Sequence, residues 1–485
     1  MRDLAERALD AATRGGVSYA DVRVEQARER HITTTSGRPA TVASYDTLGV
    51  GIRVLAGGCW GFSATDDLSA RGLEQAARFA LEIARAGTLA KRRDVELAPE
   101  DAFDLAWTSA CQIDPFSIPA DQVLEHLIAV DRTLLQTKGI TLTESSMVCS
   151  RKQQYFASSI GSRIDQTRTV TGAGFSALSY HDNQLQKRSY PNSFGGQYQL
   201  KGYELVHELD LLAHAPRIAE EAVALHKADS CPEGEFDLIL DGSQLGLQIH
   251  ESIGHPIELD RVLGSEANYA GMSFLTLDKL NNLRYGSDLV NVVCDARVEH
   301  GPGLGTFAFD DEGVPAQSTP IIRGGQFSGY MTSRETARFV GDSRSNGTMR
   351  AESWSRLPLI RMTNVSLLPG EQSLDEVFGG VDHAIYMETN RSWSIDDKRY
   401  NFQFGCEIAW EIRNGKRVRM LKNPLYSGIS TEFWNRCAAV AGPEHWTLWG
   451  VPNCGKGQPE QVMGTGHGAS PSRFSKIAVG NAEAD

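Results

Sequence analysis

His250-Glu251-Ser252-Ile253-Gly254-His255 sets two imidazoles and a carboxylate within six residues. It limits what the surrounding chain can fold into more than any other stretch. Neutral imidazole is the commonest protein ligand for a transition metal. A glutamate beside such a pair, itself not a ligand, is the usual general base of a zinc hydrolase. In the familiar H-E-x-x-H pattern the histidines are four apart and share one helical face. Here they are five apart, which on a straight α-helix turns the second about 140° from the first. A regular helix through both would misplace one of them. The pattern predicts a helix over 243–253, capped by Asp241 or Ser243, with His250 in its last turn. Gly254 is expected to leave that helix in a left-handed conformation, and Pro256 to stop its continuation, so that His255 swings back just past the end. The alternative reading is two unrelated histidines near a helix terminus.

Two histidines leave zinc one short of the three protein ligands typical of a catalytic site. Cys454, in Asn453-Cys454-Gly455-Lys456-Gly457-Gln458-Pro459, is the candidate third. The glycines let the backbone approach closely, and Lys456 is placed to lower the thiol pKa. The alternative is a buried structural cysteine. His467, in Gly464-Thr465-Gly466-His467-Gly468, belongs either to a loop that binds substrate or donates to an oxyanion, or to a turn facing solvent. Glu258 and Asp260 follow the histidine motif as partners that orient a ligand imidazole, or as exposed acids. Asp310-Asp311-Glu312-Gly313 lacks the full calcium-loop pattern and reads as a solvated turn.

The 485 residues suffice for two or three domains, and a formal charge of -13 disfavours direct binding to nucleic acid or an anionic membrane. No apolar run approaches the ~18 residues of a membrane span, and the N-terminus lacks the apolar core of a signal peptide. The eight cysteines are scattered without a C-x-x-C pair, which suggests reduced thiols and a cytoplasmic protein.

Along the chain, apolar spacing predicts helices over 3–14, from Asp66 or Asp67 to 86, over 119–138, and from Pro216 as first residue to 227. Val22 and Val24, and then Val50, Ile52 and Val54, alternate with polar or small residues as in strands. Residues 88–119 read as a linker. The main boundary falls at 229–235, before a short apolar strand that feeds the His250 helix. Asn414-Gly415 marks a β-hairpin. The predicted class is α+β: an N-terminal mixed α/β region over 1–228, divisible into 1–87 and 119–228, then a β-rich metal-binding domain over 236–485.

Several blocks together resemble the TldD/PmbA family of metallopeptidases, on the TldD side. HESIGHPIELD (250–260) is similar to the family's HExxxH helix, and FDDEGVPAQ (309–317) with IIRGGQFSGY (321–330) to its central strand pair. RMTNVSLLPG (361–370), NFQFGCEIAWEIRNGK (401–416) and NCGKGQ (453–458) resemble its later blocks, and GVGIRVLAGGCWGF (49–62) fits its N-terminal half. The resemblance implies one Zn2+ per chain held by His250, His255 and Cys454, with Glu251 as the catalytic acid/base. It also implies cytosolic hydrolysis of small or unfolded polypeptides and a dimer, formed with a PmbA-like subunit or with itself. The rival expectation is a non-catalytic peptide-binding or regulatory protein with a structural metal. A purely structural site needs no glutamate at position 251.

Overall fold

Alternating side chains along Tyr19–Thr35 and Arg38–Ala56 build the first sheet, in the computed structural model that describes residues 1–482. The path across this sheet runs Cys59–Thr65, Arg38–Ala56, Tyr19–Thr35, Ile140–Ser158, Arg163–His181 and Asp104–Thr108; Gln184–Tyr190 and Gln197–Gln199 also pair with Arg163–His181. The 1–87 and 119–228 stretches thus contribute strands to one sheet. Val22, Val24, Val50, Ile52 and Val54 bury one face beneath helices Arg2–Thr13 and Ala70–Gly87. Helices Ala120–Leu135 and Leu211–Ala224 cover a second cluster further along, around Met147, Ala173 and Phe175.

Three expectations shift in the structure. The second helix is capped by Ser69, whose side chain accepts from Gly72 N, and not by Asp66 or Asp67. Pro216 lies inside Leu211–Ala224, because the buried stripe Leu211, Ala215, Ile218 and Ala222 starts the helix a turn and a half earlier. Within the expected linker, Asp104–Thr108 adds a strand parallel to Arg163–His181.

The polar face of these strands is buried as well. Arg53 pairs with Asp21 at 2.6 Å and with Glu312 at 3.0 Å, and Gln154 donates to Asp311 at 2.7 Å. The 310–312 segment is therefore no solvated turn. It is a buried acidic wedge that joins the two halves: Asp311 and Glu312 meet a cation or donor, while burial and Glu312 push the Asp310 carboxyl well above its ordinary value.

The second half is organised on a closed ring of strands: His383–Ile395, Gly234–Leu240, Ser472–Asn481, Pro424–Ile429 and Asn401–Arg413, which pairs back onto His383–Ile395. Closure leaves no free edge along this circuit. Asn414 and Gly415 take positive φ (46° and 74°) in the expected hairpin turn between Asn401–Arg413 and Lys416–Lys422. Beside the barrel lie a sheet formed by Val292–Asp295, Ser318–Arg323, Gln326–Phe327 and Val365–Leu367, and the hairpin Thr447–Lys456/Gln461–Ala469. The class is α+β with a β-barrel C-terminal region. Among the described residues no helix is long and apolar enough to cross a membrane.

Candidate metal centre

Asp241 ends the strand Gly234–Leu240 and caps the next helix, accepting from Ser243 N at 2.9 Å and Gln244 N at 3.1 Å. Gly242–Ile249 is α-helical, but the chain does not leave the helix at Gly254. It widens into one π-helical turn, His250–Gly254, closed by a hydrogen bond from His255 N to His250 O, and then tightens to a 3-10 turn, His255–Ile257. This corrects the expected left-handed exit, since Gly254 is right-handed with φ -59°. The physical reason lies in the five-residue spacing itself. A π turn bonds residues five apart, so His255 stands one wide turn beyond His250 and not on the opposite face. Glycine at 254 answers a close approach, because a Cβ there would meet Met362 Sδ at 2.1 Å.

His250, His255 and Cys454 are all buried, and each offers a ligand atom within 4.8 Å of the others. Cys454 is not on a loop. It lies in the strand Thr447–Lys456, in register with Met463 across the hairpin, and its Sγ is 3.7 Å from His255 Nε2. Burial raises a thiol pKa, but His255 and Arg361 outweigh it here and hold Cys454 below its ordinary value. Lys456 does not take that part. Its ammonium is fully buried against Asp260 at 2.7 Å, Glu258 at 3.3 Å and the Ile360 carbonyl at 2.5 Å.

The partners around the trio determine which imidazole nitrogens are free. His467 Nδ1 lies 3.0 Å from the Val365 carbonyl, which can only accept, so that nitrogen carries the proton. Burial and the neighbouring His250 keep His467 neutral, well below the ordinary histidine range. Its Nε2 is therefore an acceptor, and His250 Nδ1–H donates to it at 2.8 Å. That leaves His250 Nε2 as a lone pair. His255 Nδ1 is 3.1 Å from Glu258 Oε2. Burial acts to raise the Glu258 carboxyl, but Lys456 and the hydrogen bond from His255 hold it well below the carboxylate range. Glu258 thus accepts from Nδ1–H, and His255 Nε2 is the free nitrogen that faces Cys454. Two imidazole lone pairs and a thiol lowered in pKa, all mutually close, form a donor set that fits a borderline-soft divalent metal.

Glu251 is 5% exposed and stands outside this trio. It pairs with Arg399 and takes a hydrogen bond from Trp393. Burial alone would raise its carboxyl, but Arg399, His250 and His255 bring it below the ordinary glutamate value. Arg399 sits at positive φ (64°) in the turn between His383–Ile395 and Asn401–Arg413.

His467 and Glu258 therefore lie against the two histidines, and Asp260 reaches the centre only through Lys456. His467 is on the strand Gln461–Ala469, fully buried, neither in a substrate loop nor facing solvent. Sequence reasoning missed Arg399, Trp393, Thr465 and the Val365 carbonyl. Arg399 is 148 residues from Glu251 and no local spacing announces it.

His467→Ala removes the acceptor that fixes the His250 tautomer while leaving the trio in place. Metal affinity is expected to fall by about 10–100-fold, the scale for an outer partner of a ligand histidine. A competition titration against a chromogenic chelator measures it. Unchanged affinity would mean that Thr465, 3.4 Å from His250 Nδ1, suffices alone.

Two histidines joined by a π turn, a strand cysteine beside them and a neighbouring carboxylate form the arrangement of a metal-dependent hydrolase. The chain belongs to the PmbA/TldD metallopeptidase family: the PmbA/TldA metallopeptidase C-terminal domain matches residues 233–481 and PmbA/TldA metallopeptidase domain 1 matches residues 20–84. It is 28% identical over 452 residues to a metalloprotease of Methanocaldococcus jannaschii, covering 93% of this chain and 95% of that one. It is 25% identical over 437 residues to a zinc metalloprotease TldD homolog of Saccharolobus solfataricus, covering 86% and 87%. Among solved structures, TldE from Thermococcus kodakarensis shares the fold with a TM-score of 0.73 at 15% identity, covering 99% of both chains. The protein is a metallopeptidase.

Proposed function

We propose that this metallopeptidase is a zinc enzyme that hydrolyses short or unfolded polypeptides, with one Zn2+ held by His250 Nε2, His255 Nε2 and Cys454 Sγ. The observation that carries this reading is the convergence of those three donors within 4.8 Å beside a glutamate that is not one of them. The printed name of the Saccharolobus relative includes zinc, and a two-histidine, one-thiolate set is an established catalytic zinc site. When bound, zinc supplies a Lewis acid for the scissile carbonyl and lowers the pKa of water. Glu251 takes the proton of the attacking water and passes it to the leaving amine. Arg399 holds the carboxylate ionised until then. His467 and Glu258 keep both ligand imidazoles in the Nδ1–H tautomer.

Narrow access favours extended substrates, since His250, Glu251, His255 and Cys454 are each no more than 5% exposed. A β-rich surround offers strand addition, in which main-chain hydrogen bonds give affinity with little sequence preference. The eight free thiols suit a reducing cytoplasm. The family resemblance supports a dimer, with a PmbA-like subunit or with a second copy.

The test compares zinc-loaded protein on a folded domain and on its denatured form, with light scattering alone and with a candidate partner. Cleavage of the denatured form only, by a dimer, is the expected outcome. Equal cleavage of both forms counts against the substrate class. A cleaving monomer counts against the assembly.

A further inference from the structure

A cavity of about 400 Å³ lies where the first sheet meets the hairpin that carries Cys454. Its wall includes Val170, Tyr198, Leu304 and Met463, together with Arg168 and Arg350. Met463 is the register partner of Cys454 and stands two residues before Thr465. Its side chain therefore shares the strand face on which Thr465 and His467 meet His250. Val462 and Gly464, which alternate with Met463, also line the cavity, so it borders both faces of the strand whose inner face carries the metal centre.

Two guanidiniums at this cavity make no ion pair among the described residues. Arg350 is 4% exposed; its terminal nitrogens donate to the Met362 carbonyl at 2.6 Å and the Leu304 carbonyl at 3.1 Å, and its Nε has no partner among the described residues. Burial and the neighbouring cations Arg168 and Arg361 push it down to about 9. The side chain of Arg168, half-buried, makes no hydrogen bond or ion pair among the described residues. Both arginines bear electrostatically on Asp311, which Gln154 and Ala351 N already engage. Among other buried arginines Arg53 has Asp21, Arg188 has Glu407 and Arg261 has Glu266, while Arg361, like Arg350, donates to backbone carbonyls. The acids on this cavity's wall are committed elsewhere, Glu29 to His31 at 3.2 Å and Glu352 to Arg356 at 3.8 Å. Lys152, the remaining cation there, is met by Glu25 at 3.1 Å.

We propose that this cavity is a substrate subsite for a carboxylate, received by Arg168 and Arg350. The inference rests on the peptidase reading and adds a substrate class to it. A buried guanidinium that makes no ion pair is costly, and a planar carboxylate matches its fork. The apolar wall takes the stem of the residue that carries it. Two sources share this chemistry, the C-terminal carboxylate of a short peptide and an Asp or Glu side chain.

One peptide is prepared in three forms: with a free C-terminus, with a C-terminal amide, and as the amide with one Gln replaced by Glu. Zinc-loaded protein is assayed for kcat and KM on each, and for equilibrium binding of fluorescent versions by anisotropy. One of the carboxylate forms is expected to exceed the plain amide about 10–100-fold in kcat/KM, mainly through KM, the scale of a hydrogen bond to a charged group. Which form does so identifies the source. Arg168→Gln is expected to bring that ratio to within about threefold of unity, and Arg350→Met to do the same where it folds. Equal kcat/KM on all three forms overturns the proposal, as does a ratio that survives Arg168→Gln. If no form is cleaved, the hydrolytic reading fails by itself. Anisotropy then decides the subsite: tighter binding of a carboxylate form, lost in Arg168→Gln, upholds it, and equal binding overturns it.

Discussion

Glu251→Gln is expected to retain the metal and the fold while kcat falls by about 10²–10⁴-fold, the range for loss of a general acid/base. The amide is nearly isosteric with the carboxylate and still hydrogen-bonds, but it cannot take the proton of the attacking water. The three proposed donors, His250 Nε2, His255 Nε2 and Cys454 Sγ, do not include it. The change has one other structural consequence, since Arg399 loses its ionised partner. A conformational effect is separated from a chemical one by assaying Glu251→Asp beside it. The shorter acid restores part of the rate if the proton is what matters. Metal content and peptide hydrolysis are measured on the same preparations. Full activity in Glu251→Gln would remove Glu251 as the base, whereas loss of metal would make it a ligand.

Cys454→Ala is expected to lose both metal and activity. Removing the thiolate takes away one donor and the only one of the three that brings negative charge, leaving two neutral imidazoles. The loss of affinity should exceed the about 10–100-fold assigned to the outer partner His467. Elemental analysis after dialysis against a weak chelator gives the occupancy, and thermal melts of the metal-free proteins show whether the variant is otherwise intact. Matching apo-protein melts with unequal metal content place the effect at the site. Full occupancy in Cys454→Ala would refute the three-donor assignment, and Asp260 and Glu258, both bound to Lys456, would not replace it without breaking that buried pair.

Much of the first half was legible because local periodicity tracks burial there. The stripe Val123, Leu127, Val130 and Leu134 is the buried face of Ala120–Leu135. Pro216 misled because proline favours the first turn, while the apolar stripe beginning at Leu211 carried more weight. Asp310 to Glu312 misled for a different reason. Three consecutive acids read as solvated unless their partners are known, and those partners, Arg53, Arg23 and Gln154, are far away in the chain.

At the metal centre, residue chemistry and spacing were enough to single out His250, Glu251 and His255, because imidazole and carboxylate carry their reactivity wherever they stand, whereas Cys454 by itself read more readily as a buried structural cysteine and became the third-donor candidate through the family resemblance. The spacing also showed that a straight α-helix could not serve. Only the tertiary structure decided how the conflict is resolved, by a π turn whose five-residue hydrogen bond stacks His255 beyond His250. It alone placed Cys454 on a strand beside His255, put His467 and Glu258 behind the two imidazoles, and set Arg399 on Glu251. Each of those contacts except the one to Glu258 joins residues more than a hundred positions apart. Such contacts depend on how the barrel closes and the hairpin folds back, and no local pattern of side chains encodes that closure.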